Sequence, residues 1–283
     1  MAFLFLHIIS VTLFSLCYKV ASGERKCYTP SVQLTMYLAA LIAAVAGMII
    51  SGGMILEQKL IITGVAAGIC LFTAMRTFFF AMARGGLAVG WTFVGLSVVI
   101  PLVASILFWN EIPSSLQIAG ILLMLPCVIL FGNLHLQVSG DRKRWMSLVL
   151  AAAFCTGLTQ VASKIISEYE FTGRLRLIAN YMFWVYATGA AALLLFKEGR
   201  HWEMFSAETR AGLLMAILNV IGVYTFIKAL EHLDGIIFFP TKTVCNIILT
   251  ALFAVLIWKE QISRRQIAGI LLGALAAMLV NMG

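Results

Sequence analysis

Five basic residues, Lys19, Arg76, Lys164, Lys228 and Lys242, fall inside stretches that are otherwise apolar, whereas all 12 Asp and Glu residues lie between such stretches or at their ends. Charge at the centre of a bilayer costs from about 2.5 to more than 10 kcal/mol, so cations there call for water, backbone carbonyls or an anionic ligand. The chemistry this pattern suggests is binding of an anionic or zwitterionic solute. Other chemistries lack their residues. The four histidines form no HExxH, no GxxxxGK[ST] occurs, the six cysteines contain no CxxC pair, and no nucleophile has a base at workable spacing. The chain is therefore expected not to be an enzyme, to take no cofactor or metal, and to hold no disulfide framework.

Depth and neighbours rank the candidates. Arg76 and Lys242 each sit about seven residues from the nearer end of their stretch, roughly 10 Å at helical rise. Lys19, Lys164 and Lys228 lie within a turn or so of an end, where Lys19 and Lys164 are expected to snorkel to the interface. Among polar and aromatic neighbours, Gln160, Asn180, Asn219, Tyr224, Thr241, Thr243 and Asn246 could complete a pocket, with Trp91 and Trp184 as walls. Helix-to-helix hydrogen bonding or packing accounts for each equally well. Asn246 stands out because it lies one helical turn from Lys242. The substrate-binding set carried forward is Arg76, Lys242, Lys228, Asn246, Tyr224, Gln160 and Lys19.

The elements that must position these residues are membrane spans. Of 283 residues, 62% are hydrophobic and 11% charged, and the mean hydropathy is +1.01. A span needs roughly 20 apolar residues, and ten such windows fill the chain: 2–20, 32–51, 60–83, 87–109, 115–133, 146–166, 177–196, 210–230, 235–258 and 264–282. The first reads as a retained span rather than a leader, since no basic residue precedes its apolar run. Net charge is +8, yet the placement of Lys and Arg argues against nucleic acid. Odd-numbered connections carry Arg25, Lys26, Arg84, Arg142, Lys143, Arg144, Lys197, Arg200, Arg210, Lys259, Arg264 and Arg265; even-numbered ones carry Lys59, Arg174 and Arg176. Cytoplasmic loops accumulate such residues, which puts the odd connections in the cytoplasm and both termini on the far side.

Trp109, Glu111 and the run Gln117–Leu123 recur 149 residues later as Trp258, Glu260 and Gln266–Leu272. Weaker matches occur in the same order: Ala81 and Met82 with Ala229 and Leu230, and Val20, Ala21, Ser22 with Val161, Ala162, Ser163. The halves, 1–134 and 145–283, thus read as two copies. Each holds five spans, an odd number, so the second enters the membrane from the opposite side. Across the repeat Arg76 aligns with Tyr224 and Lys228 with Phe80, an asymmetry that suits an asymmetric ligand. Glu111 and Glu260 read as helix-end residues rather than proton carriers, and Gly64 with Gly68 as a close-packing pair. His7 reads as a satisfied or interfacial histidine, and Trp109, Trp145, Trp202 and Trp258 as interfacial belt.

The stretch from Phe80 to Leu123, with Ala81 and Met82 at a helix end, Pro101 in the next helix, Glu111 at the following turn and Gly120 in the last helix, resembles the EamA-type half of the drug/metabolite transporter superfamily. Residues 228–272 match it again. One departure is that Pro101 has no counterpart in the second copy, whose proline is Pro240. The resemblance implies a ten-helix metabolite exporter or exchanger, with a central cavity lined by the first, third and fourth helices of each half. The combined expectation is an all-α polytopic membrane protein of ten transmembrane helices in two inverted five-helix repeats. It would sit in the plasma (inner) membrane as a monomer or homodimer and carry a small-molecule substrate by alternating access. Its expected partners are that substrate and the lipid bilayer. A passive channel or lipid scramblase is the rival, distinguished by ion conductance or lipid exchange without saturation by a soluble solute.

Overall fold

The computed structural model describes residues 1–21, 28–82, 94–131, 142–195, 207–259 and 264–282. Within them the chain is helical, with no strand. The α-helices are α1 (Ala2–Lys19), α2 (Thr29–Ser51), α3 (Gln58–Met82), α4 (Val99–Trp109, entered through a 3₁₀ turn at Leu96–Val98), α5 (Ser115–Phe131), α6 (Arg142–Ser167), α7 (Arg174–Leu195), α8 (Ala207–Leu230), α9 (Gly235–Trp258) and α10 (Arg264–Met282). Among the described residues six helices are long and apolar enough to cross a membrane, and shorter apolar helices include Ala2–Tyr18, Leu96–Trp109, Ser115–Met124 and Ile267–Met282. Large apolar side chains are exposed along them, among them Ile49, Ile50, Leu107, Phe108, Leu195 and Leu256, as a lipid-facing surface requires. This is a polytopic helical membrane protein.

Two compact units divide the chain, and neither is one half of the sequence. The first comprises Met1–Phe72 and Ala162–Glu231; the second comprises Thr73–Val161 and His232–Gly283. Each therefore draws helices from both copies of the repeat, and α3 and α6 each run from one unit into the other.

In the first unit α1 packs on α8, and α2 packs on α7 and α8. The α2–α7 pair carries the repeat in its packing. Gly47 of α2 meets Ala179 of α7 at 3.1 Å from its would-be Cβ, and Gly189 of α7 lies against the ring of Tyr37 of α2. Gly189 follows Gly47 by 142 residues and Ala179 follows Tyr37 by the same 142. One contact thus maps onto the other when the copies exchange, which is the signature of an antiparallel pair related by a two-fold axis. By contrast Gly64 and Gly68 of α3 meet Trp184 and Thr188 of α7 in ascending order, so those helices run parallel. Opposite directions for helices five apart and equal directions for helices four apart are what one crossing per helix demands.

In the second unit α5 pairs with α10, which also packs on α9, and α9 touches α4 and α5. At Gly120 of the repeated run a Cβ would stand 2.7 Å from the Ala276 carbonyl and from the Val280 side chain, so the equivalent helices α5 and α10 pack closely there. Backbone geometry repeats too. Asn110 and Lys259, 149 residues apart, both adopt the left-handed conformation (φ 53° and 52°) directly after Trp109 and Trp258. Asn tolerates that conformation and ends α4 as a C-cap; Lys does so at a cost. Trp145 departs from the belt reading. It is fully buried with Ala81 and Val149, packed where its ring excludes more surface than an interfacial position would.

Close approach at Gly68 is a stringent packing constraint in the first unit, because an added Cβ would stand 2.7 Å from the Val185 carbonyl and 2.7 Å from Thr188 Cβ. Gly68→Ala is expected to destabilise the protein by roughly 1–3 kcal/mol. At Gly222, where an added Cβ would lie 3.8 and 3.9 Å from Ser10 and Val11, alanine should be neutral or slightly stabilising. Thermal unfolding of the two variants in one detergent checks the contrast.

Candidate functional site

The site is built on α9 by one acidic residue and one proline. Glu111, in the connection after α4, accepts hydrogen bonds from the backbone N–H groups of Gly235 (3.1 Å) and Ile236 (2.9 Å). A carboxylate there satisfies N–H groups that the first turn leaves unpaired and complements the helix dipole. This is the helix-end role expected for Glu111; Glu260 lies outside the described residues. Two turns into α9 comes Lys242, two residues past Pro240.

The Lys242 ammonium is half-buried and donates to the Gln160 side-chain carbonyl of α6 at 2.8 Å. It also lies 5.8 Å and 5.6 Å from the ring centroids of the buried Phe238 and Phe239, within cation–π range. The other end of the Gln160 carboxamide donates from Nε2 to the Ser97 hydroxyl at 3.2 Å. Ser97, buried in the 3₁₀ turn that opens α4, was not foreseen. Its conformation follows from Pro101, which has no N–H for the carbonyl four residues back, that of Ser97, and whose ring crowds it. The chain tightens to 3₁₀ over Leu96–Val98. Gly157, one turn before Gln160 on α6, lets that segment approach: a Cβ there would stand 2.6 Å from Ile100 Cδ1 and 2.9 Å from the Ser97 carbonyl. On the opposite flank a Cβ at Gly95 would lie 4.0 and 3.9 Å from Thr243 and Ile247 of α9. The signal in the sequence was the pair Pro101 and Gly157, the first four residues after Ser97 and the second three before Gln160.

The remaining candidates divide between the units. Arg76 shares the second unit, with its guanidinium 4.6 Å from the Phe80 ring centroid. Asn246 is half-buried one turn beyond Lys242 on α9. Tyr224 and Lys228 are on α8 in the first unit. The side chain of Lys19, and Trp91, lie outside the described residues. Lys228 donates to Glu231 at 2.9 Å, and Arg174 approaches the other oxygen of that carboxylate at 3.5 Å. Arg174 also donates to the carbonyls of Ser167 (2.9 Å) and Tyr169, and the Tyr169 hydroxyl donates to Glu57. Lys164 is buried, not snorkelling, with its ammonium 3.8 Å from Glu168. Lys164 and Lys228 therefore have carboxylates, three or four residues on and just past the end of each helix. Asn180 clamps the α2–α3 turn, donating to the Gly53 carbonyl and accepting from the Ile55 N–H. Asn219 accepts from the Tyr186 hydroxyl at 2.6 Å. His7 bonds the Gly222 carbonyl at 2.9 Å, the satisfied reading. Thr241 accepts from Asn281 at 2.9 Å.

The EamA-like transporter family profile matches residues 143–282. The chain belongs to the drug/metabolite transporter superfamily. A crystal structure of a protein 16% identical to this EamA-like chain superposes with a TM-score of 0.77 over 99% of this chain and 96% of that one, a likeness that shows the fold. No curated protein matches the sequence. As an EamA-like protein it is a membrane transporter of the drug/metabolite type, embedded in a lipid bilayer and acting on a small molecule.

Two substitutions test how the site is held. Gly157→Ala should push the 3₁₀ turn off α6, abolish the Gln160–Ser97 bond and reduce transport several-fold. Glu111→Ala leaves two N–H groups of α9 without their acceptor and should cost about 1–2 kcal/mol. Glu111→Gln, which keeps one acceptor oxygen, should recover part of that loss in detergent melting curves.

Proposed function

We propose that this chain is a secondary transporter, an exporter or exchanger, that moves a small anionic or zwitterionic metabolite across the plasma (inner) membrane by alternating access. The observation that carries the proposal is the Lys242 ammonium, held inside α9 by the neutral Gln160 carboxamide and the faces of Phe238 and Phe239. A carboxamide bonds an ammonium without cancelling its charge, whereas a carboxylate cancels it, as Glu231 does for Lys228. Lys242 and Gln160 are thus the centre of the proposed site, with Asn246 beside them on α9. Arg76, Tyr224 and Lys19 are secondary candidates, and Lys228 a further one if Glu231 moves. Residues 1–134 and 145–283 are proposed as the two EamA-like repeats whose exchange of conformations exposes the site to each side in turn. The non-enzymatic character of the chain is part of the same reading.

Counterflow into proteoliposomes, screened over amino acids, organic acids, phosphorylated sugars and cationic dyes, tests this directly. Saturable uptake of anions or zwitterions is expected. Lys242→Ala should reduce it by at least tenfold, in line with the loss of a charge-assisted hydrogen bond worth about 1.5–3 kcal/mol. Saturable uptake of cations that ignores Lys242→Ala would sink the proposal.

A further inference from the structure

Gln160 presents the wrong atom to an anion. Lysine can only donate, so the carboxamide must turn Oε1 to the ammonium, and Nε2 then faces Ser97. A carboxylate or phosphate arriving at Lys242 Nζ would meet that carbonyl oxygen, acceptor against acceptor. Rotation of the amide by 180° about its last bond removes the conflict. Nε2 then donates to the anion beside the ammonium, and Oε1 faces Ser97. The rotated amide is satisfied only if the residue at 97 can both accept and donate, as a hydroxyl does and a backbone N–H, a carbonyl or an alanine methyl does not.

We propose that Ser97 is a positioning residue whose reversible hydroxyl lets Gln160 turn from partner of Lys242 into ligand of the substrate, making an all-donor site selective for acceptor-only groups such as carboxylate and phosphate. The inference rests on the reading of Lys242 as the anion site. Three observations carry it: the continuous Lys242–Gln160–Ser97 chain, the burial of Ser97, and the fixing of its segment by Gly157 on one side and α9 on the other. Ser97 touches no substrate in this scheme; it acts through Gln160. A neutral carboxamide analogue brings a donor as well as an acceptor, so the site discriminates against it.

Succinate, glutamate and glucose 6-phosphate serve as probes in counterflow with purified protein in proteoliposomes. Ser97→Ala should raise KM for the transported anion about three- to tenfold, the worth of one hydrogen bond, with maximal velocity and detergent melting temperature unchanged. Ser97→Thr, which keeps the hydroxyl, should restore KM. In a Gln160→Leu background, Ser97→Ala should have no further effect, because the residue it serves is gone. Gln160→Glu, which holds Lys242 in an ion pair and offers no donor, should abolish anion uptake while leaving the protein folded. Loss in Lys242→Ala combined with indifference to Ser97→Ala overturns the role of Ser97 and leaves the anion site standing. Equal, additive losses from Ser97→Ala in both backgrounds also overturn it, marking a packing residue. Uptake that survives Lys242→Ala removes the anion site itself, and absence of saturable uptake for all three probes overturns both.

Discussion

A charge inside hydrocarbon has to be solvated by the protein that carries it, and the Lys242 ammonium shows how much local structure that requires. Its carboxamide partner is on another helix, its aromatic neighbours precede it on its own, and the helix that bears it starts where Glu111 accepts two backbone N–H groups. The other buried cations solve the same problem differently. Lys164 and Lys228 take carboxylates one turn away at the end of their helices, where water and headgroups are near and pairing is inexpensive. Lys242 bonds a neutral amide where Lys164 and Lys228 meet carboxylates.

Backbone approach is the second constraint. Lipid supplies no hydrophobic drive between helices, so contact area and van der Waals packing have to hold them together. Glycines do this at several pairings: Gly47 and Gly189 between α2 and α7, Gly64 and Gly68 between α3 and α7, Gly120 between α5 and α10. Gly157 serves the site as well as the fold, since the same absent side chain that seats α4 on α6 brings Ser97 within reach of Gln160. The prolines add direction. Pro101 converts the start of α4 into a 3₁₀ turn and so aims Ser97, a job that Pro240 cannot duplicate because it stands near the beginning of its helix. The asymmetry between copies therefore resides in a few backbone-altering residues set in helices whose packing is repeated.

Composition and periodicity suggest ten spans, and among the described residues the helices begin and end within a few residues of those expected, while the expected start of the fourth span, residue 87, lies outside them. The repeat was legible because identical runs at one offset survive in sequence, and its inverted sense follows from the odd number of spans in each copy. Lys242, Gln160 and Asn246 were legible as candidates because polar residues in apolar stretches are conspicuous. Their grouping was not, since α6 and α9 come together only through packing. Trp145 and Lys164 were misplaced for a related reason: distance along a helix from its end does not say which face meets a neighbour.

What the sequence by itself determined is what local physics enforces, namely which segments must be helical and buried in lipid, how many there are, and that two sets of five oppose each other. Tertiary structure decided which polar groups meet: that Glu111 caps α9, that Glu231 takes Lys228, and that Ser97 joins Gln160 and Lys242 in one chain. The reason is that hydrogen-bond partners in a membrane are chosen by which helix faces pack together. That choice depends on glycines and prolines many residues away from the groups they bring into contact.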